Sequence, residues 1–141
     1  MPTPASECLY CQQTPTLHDL MIKIADLETS QLFLFKEQSH PGRCNVVYKD
    51  HGVELHDLSE EQRNAFMRDV ATTAKAITAA FNPIKINYGA YADKLSHLHI
   101  HIVPKYEAGF GFGGTFEMNP QKTYLSDAEY AEVIAKIKAH M

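Results

Sequence analysis

The chain has 141 residues, 45% of them hydrophobic and 21% charged, and a formal net charge of −4. That length fits one domain, residues 1–141, able to bury a core without disulfide staples, and the charge balance offers no basic face for a large nucleic-acid surface. No apolar run approaches the length of a membrane span, so the partners left open are small ligands, including phosphorylated ones that need only a few local contacts.

The opening Met1-Pro-Thr-Pro-Ala-Ser-Glu7 lacks the apolar core of a signal peptide. Three cysteines is an odd number for a secreted disulfide framework. The chain therefore reads as cytoplasmic, with reduced thiols. Cys8-Leu-Tyr-Cys11 comes first. Alone it is compatible with a redox pair, half of a metal site, or no function. A redox pair wants a following helix, which the residues around Pro15 do not suggest, and a zinc site needs two more ligands from elsewhere.

Leu20–Leu27 and Ser30–Phe35 read as strands joined by a turn. His40-Pro41-Gly42-Arg43 is a turn signal, and Cys44–Tyr48 is a third strand in which Cys44 serves as a small core residue. Ser59-Glu-Glu-Gln62 has the form of a capping box. The helix it opens carries Phe66, Val70, Ala74, Ile77 and Phe81 as one apolar stripe, and Asn82-Pro83 ends it. Ile84–Tyr88 is a strand, 89–95 a loop, and the segment from about Ser96 to Pro104 another strand. Gly109-Phe-Gly-Phe-Gly-Gly-Thr-Phe116 lacks the strand-turn-helix setting of a phosphate loop. It reads as a mobile or partner-contacting loop. Ser126-Asp-Ala-Glu129 is a second capping box, opening a final helix with Tyr130, Val133, Ile134 and Ile137. The order β-β-β-α-β-β-α argues for an α+β architecture, an antiparallel sheet covered by helices.

The most informative stretch is His97-Leu-His-Ile-His-Ile-Val103. Period-two alternation puts Leu98, Ile100 and Ile102 on one face of a strand and the histidines on the other, roughly 6.6 Å apart. A lone histidine there would most simply be a satisfied core residue. Three on one face each need separate partners in little space, and imidazole binds metal, moves protons and attacks electrophiles near neutral pH.

This stretch resembles the His-φ-His-φ-His-φ-φ signature of the histidine triad (HIT) superfamily of nucleotide hydrolases and transferases, φ being apolar, at all seven positions. The resemblance extends to the Cys-x-x-Cys, Pro41-Gly42 and its strand, the long helix, and Asn87-Tyr88-Gly89, but not to the C-terminal tail. It implies a HIT-like α+β fold, with a central antiparallel sheet of about five strands, one long helix and a C-terminal helix, and a homodimer. It implies His99 as the nucleophile that attacks phosphorus, with His101 and Asn87 contacting phosphate or leaving group. In many members the first triad histidine packs behind the nucleophile as an organiser, and in zinc-containing bacterial members it is a metal ligand. On that pattern His97 joins Cys8, Cys11 and His51 in a structural zinc site. His18, His40, His56 and His140 are left as solvated surface residues.

Three positions depart from the family pattern. Ala92-Asp93-Lys94 stands where a Gly-Gln-Ser or Gly-Gln-Thr is common, so Lys94 becomes the candidate phosphate contact and Asp93 an unfavourable one. The ribose-holding acidic or amide residue that is usual falls near Phe35, which cannot accept a hydrogen bond, with Lys36 and Glu37 adjacent as the alternative register. Arg43 replaces a histidine after Pro-Gly. The expected activity is a nucleotide-phosphate hydrolase or nucleotidyl transferase acting on phosphoramidate or dinucleoside polyphosphate type substrates. Two other readings stand beside it: a nucleotide-binding or regulatory module without turnover, and a hydrolase whose three triad histidines bind a catalytic zinc. The second leaves Cys8 and Cys11 unused.

Overall fold

The structure, a computed structural model, describes residues 2–141. Two short helices, α1 (Leu9–Gln12) and α2 (Pro15–Leu20), precede strands β1 (Met21–Asp26), β2 (Ser30–Phe35) and β3 (Cys44–Tyr48). Helix α3 (Glu60–Phe81) follows, then β4 (Lys85–Gly89), β5 (His99–Lys105) and α4 (Asp127–Lys138). The five strands form one sheet in the order β1-β2-β3-β5-β4, with every neighbouring pair antiparallel. The α+β fold expected from the sequence is thus the one observed.

The sheet's two faces follow from side-chain alternation. Leu32, Leu34, Cys44, Val46, Ile100 and Ile102 pack with Phe66, Val70, Ala74 and Ile77 of α3 in the main core. The other residues of the same strands face the histidine side. There Phe33, Phe35 and Val47 join Met21 and, from the N-terminal segment, Cys8, Tyr10 and Leu17 in a second cluster. Helix α3 has both halves of its capping box, Ser59 with Gln62, and stops at left-handed Asn82 before Pro83. Gly42 turns the chain at φ +88°, and a Cβ there would meet the Phe81 ring at 2.8 Å.

Several boundaries differ from the sequence reading. Thr14 caps α2, with Pro15 in its first turn, so helices do follow the Cys-x-x-Cys. Leu20 closes α2 rather than opening β1, and β4 lies one residue later than expected. Strand β5 starts at His99, since β3 ends at Tyr48 and the Leu98 N–H turns instead to the Gly52 carbonyl at 2.7 Å.

One buried carboxylate ties the β1–β2 turn to α3. Asp69 Oδ2 accepts from the Thr29 N–H at 2.9 Å, the Thr29 hydroxyl at 2.8 Å and the Ser30 hydroxyl at 2.7 Å. Asp69→Ala strands these donors, so it should cost about 2–4 kcal/mol in urea unfolding at unchanged m-value. A loss below about 1 kcal/mol would show that water replaces the carboxylate.

Candidate functional site

Backbone carbonyls set the tautomers of the histidines at the site. A carbonyl only accepts, so each ring nitrogen bonded to one must carry the proton. His99 Nδ1–H donates to the His97 carbonyl at 2.7 Å, which leaves the lone pair on Nε2. His97 Nε2–H donates to the Tyr48 carbonyl at 2.7 Å, and His51 Nε2–H to the Thr3 carbonyl at 2.8 Å. In both of these rings the lone pair is therefore on Nδ1.

Those two Nδ1 atoms are 3.3 Å apart. Cys8 Sγ lies 3.3 Å from His97 Nδ1, and Cys11 Sγ lies 3.2 Å from His51 Nδ1 and 3.5 Å from His97 Nδ1. All four donor atoms fall within 4.8 Å of one another. Zinc held tetrahedrally at about 2.0–2.3 Å places its ligands roughly 3.3–3.8 Å apart, so the donor set and its spacing fit that ion. The carbonyl partners of the two imidazoles are the outer contacts that such ligands need. Cys8 caps α1, and Cys11 sits one turn on, so the first helix brings the two thiols together.

His99 and His101 lie outside that donor group, with ring centroids 5.1 Å apart. Tyr10 packs on His97 and His99 at 5.2 and 5.3 Å. Phe35 stacks on His101 at 5.2 Å and 9°. The Arg43 guanidinium sits 3.9 Å from the Phe35 ring centroid. Burial holds His99 below the ordinary imidazole range. Burial, reinforced by the neighbouring His99 and Arg43, pushes His101 down to about 3. Both rings are neutral at pH 7, which leaves His99 a lone pair on Nε2 and His101 one N–H to give.

Among the described residues, Arg43 Nε, Asn45 Oδ1 and His101 Nδ1 are buried without a protein hydrogen-bond partner. Asn45 stands directly across the ladder from His101, and Arg43 joins the same stack through Phe35. Unsatisfied polar atoms are uncommon in native interiors. Their concentration around one imidazole points to a place where a ligand or water supplies the partners.

The other candidate residues are placed unequally. Asn87 pairs across the ladder with Val103, and Gly89 with His101, so Asn87 is half-buried on the histidine face at the far side of the triad strand. Gly89 has a steric reason to lack a side chain: a Cβ would meet the Tyr91 ring at 2.6 Å and Phe116 at 3.0 Å. Lys94 is exposed, and its recorded contact is through its carbonyl, which accepts from Thr3 Oγ1 at 3.3 Å. Asp93 beside it is exposed too. Arg43 is buried and reaches the Met118 carbonyl and Asn119 Oδ1, tying the 117–119 stretch to the sheet.

Two sequence expectations fail here. His40 is buried, not solvated, and donates from Nε2 to the Glu117 carbonyl at 2.7 Å. The glycine-rich loop does not reserve all its aromatics for another molecule. Phe116 folds back onto His40, His101 and Tyr91, with centroids 6.2, 6.1 and 6.0 Å away. Lys105 anchors this loop through the Gly111 and Gly114 carbonyls. Tyr10, Asn45, Tyr91 and Phe116 were not singled out by sequence. The place of Tyr10 between the two cysteines, and of Phe116 at the end of the glycine-rich loop, were the signals that could have found those two.

Residues 21–108 match the HIT domain family. The chain is 29% identical over 137 residues to an adenosine 5'-monophosphoramidase of Schizosaccharomyces pombe, covering 93% of this chain and 98% of that one. A histidine triad protein from Bradyrhizobium japonicum superposes with a TM-score of 0.82 at 21% identity, covering 90% of this chain and 95% of the other. A zinc-bound histidine triad family protein from Mycobacterium smegmatis gives 0.67 at 18%, covering 97% and 94%. With the triad strand held between β3 and β4 and the match running through it, the chain belongs to the HIT domain family.

Proposed function

We propose that the chain is a hydrolase or nucleotidyl transferase acting on phosphoramidate or dinucleoside polyphosphate type substrates through a covalent intermediate on His99. The observation that carries this is the His99 Nδ1–H bond to the His97 carbonyl, which leaves Nε2 as the unprotonated atom beside His101. The kinship with a yeast adenosine 5'-monophosphoramidase supports the substrate class. In the first step the Nε2 lone pair forms a bond to phosphorus while the bond to the leaving amine or phosphate breaks; a leaving amine takes its proton from solvent and a leaving phosphate departs as the anion. In the second, water or another acceptor attacks the same phosphorus, releases its proton to solvent, and the N–P bond returns its electron pair to Nε2. His101 gives its N–H to the phosphoryl oxygen or leaving group, Asn87 is assigned to the same group, and exposed Lys94 is at most an outer contact.

The carriers of the metal are Cys8, Cys11, His51 and His97. Zinc there is structural, joining the N-terminal segment to β3 and the triad strand. The whole chain, 1–141, is read as one HIT domain working in the cytoplasm, with no role for nucleic acid or membrane. No described helix is long and apolar enough to cross a membrane.

Rapid-quench turnover of AMP-lysine, adenosine phosphoramidate, dinucleoside polyphosphates and nucleotide sugars tests the activity. An acid-labile, base-stable phospho-adduct on His99 is the expected result. Turnover with oxygen or nitrogen nucleophiles but no trapped adduct would overturn it.

The chain is further proposed to pair as a homodimer. Its support is an edge strand, β4, with Tyr88 53% exposed and Ile84 just before it 64% exposed, near Phe112 at 45%. Light scattering should give about twice the 15.9 kDa chain mass at micromolar concentration, and a mass near one chain refutes the pairing.

A further inference from the structure

Lys105 ends β5 as a buried cation without an anionic partner. It is 3% exposed, and its ammonium donates to the Gly111 carbonyl at 2.5 Å and the Gly114 carbonyl at 2.8 Å. Among the described residues it enters no ion pair. An ammonium has three donors, so two carbonyls leave one unused, and a buried charge met only by dipoles is costly. Resting on the reading of His99 as the nucleophile, we propose that a phosphate group of the substrate supplies the missing partner. The pocket between the β4 edge and the glycine-rich loop holds the distal end of a polyphosphate leaving group.

The space and its charge support this. A pocket of ≈ 320 Å³ is lined by Lys85, Asn87, Lys105 and the loop glycines Gly113 and Gly114. A second, of ≈ 300 Å³, shares Lys85 and Asn87 with it and continues to Thr115, Tyr91 and Phe116. Those last two are the aromatics packed on His101 at 6.1 Å each. Neither lining includes a carboxylate, in a chain whose net charge is −4. The polar groups present are two ammoniums, one amide and one hydroxyl, all able to donate to phosphate oxygens. Gly113 has φ +94° and open space where a Cβ would stand, so the loop leaves room beside Lys105.

The register puts the pocket in line with the reacting phosphorus. Alternation sets His99, His101, Val103 and Lys105 on one face of β5. Gly89, Asn87 and Lys85 stand directly opposite the last three on β4. From His101 to Lys105 is four residues, about 13 Å, with Asn87 beside the midpoint. Charge decides which leaving group follows this row. A protonated amine is repelled by two ammoniums, whereas a polyphosphate is attracted by them. As His99 Nε2 bonds to phosphorus, the P–O bond to the leaving phosphate breaks, and the negative charge gathered on that oxygen departs with the polyphosphate toward Lys85 and Lys105. Ile84 and Phe112 rim the pocket on the edge proposed to pair, so in a dimer it lies at the seam between copies.

The test is calorimetric binding of inorganic tripolyphosphate to the whole chain at low salt, beside turnover of a dinucleoside tetraphosphate and of adenosine 5'-phosphoramidate. Lys85→Gln should weaken tripolyphosphate binding by fivefold or more. It should also lower the ratio of kcat/KM for the tetraphosphate to that for the phosphoramidate by a similar factor. Lys75→Gln, an exposed lysine on α3, is the control for general charge and should change binding less than twofold. Lys105→Met should weaken binding further. Lys85 is exposed, so its variant keeps the test valid if Lys105→Met does not fold. Binding untouched by Lys85→Gln, or weakened equally by Lys75→Gln, overturns the proposal, as does an unchanged substrate ratio. Binding that depends on Lys85, without a His99 adduct, removes the nucleophile reading and leaves the phosphate pocket standing; an adduct with binding indifferent to Lys85 does the reverse.

Discussion

His99→Ala should lose about 10³-fold or more in turnover while still binding nucleotide with near-native affinity. The size of the effect follows from the chemistry: the residue forms the bond to phosphorus, so its removal abolishes the covalent route instead of weakening one contact. Its neighbours cannot take over. His97 has its Nε2–H on the Tyr48 carbonyl and aims Nδ1 at the two thiols and His51. His101 is displaced by 5.1 Å between ring centroids, far outside the tolerance of an in-line attack. His101→Ala should differ in kind, with slower turnover but some adduct retained, since a hydrogen-bond donor is lost and the nucleophile is kept. Single-turnover quench-flow with both variants separates the two roles. Wild-type rates in His99→Ala, on a substrate that the native chain processes, would end the covalent mechanism.

Removing zinc should lower thermal stability before it touches the chemistry. The proposed ligands come from three distant parts of the chain: Cys8 and Cys11 at α1, His51 after β3, and His97 just before β5. Closing them through one ion constrains the unfolded chain and holds α1 against the second core cluster, where Cys8 and Tyr10 are buried. Without a cation, burial pushes the Cys11 thiol up to about 11, so the ion displaces its proton on binding and its contribution to stability is pH-dependent. A loss of about 3–5 kcal/mol corresponds to a fall of roughly 10–15 °C in Tm for a chain of this size. Chelator should produce that fall in the wild type. Cys8→Ser should melt at the lower temperature already and respond little to chelator. Elemental analysis should find one zinc per chain, and its absence, or a Cys8→Ser protein with native melting behaviour, refutes the site.

Much of this molecule was legible in the chain itself. Ser30–Phe35, Cys44–Tyr48 and the capping boxes at Ser59 and Ser126 were readable because the rules behind them are local: side-chain alternation, a hydroxyl three residues before an amide or carboxylate, and a proline that stops a helix. The triad was readable for the same reason, since period two places His99 and His101 on one face without reference to anything else. What sequence could not supply was everything decided by packing between distant segments. His40 looks like a turn residue, yet the 117–119 stretch returns over it and buries it. Phe116 looks like loop decoration, yet it closes on His101 because Gly89 leaves room. Lys94 occupies a promising sequence position, but its side chain stays in solvent. The sequence by itself determined the sheet-and-helix pattern and the chemistry available on the triad strand, because those depend on neighbours a few residues away. Only the tertiary structure decided which nitrogen of His51, His97 and His99 is free and that Arg43 Nε, Asn45 Oδ1 and His101 Nδ1 lack partners in the chain, because those partners are backbone carbonyls and side chains supplied by the fold.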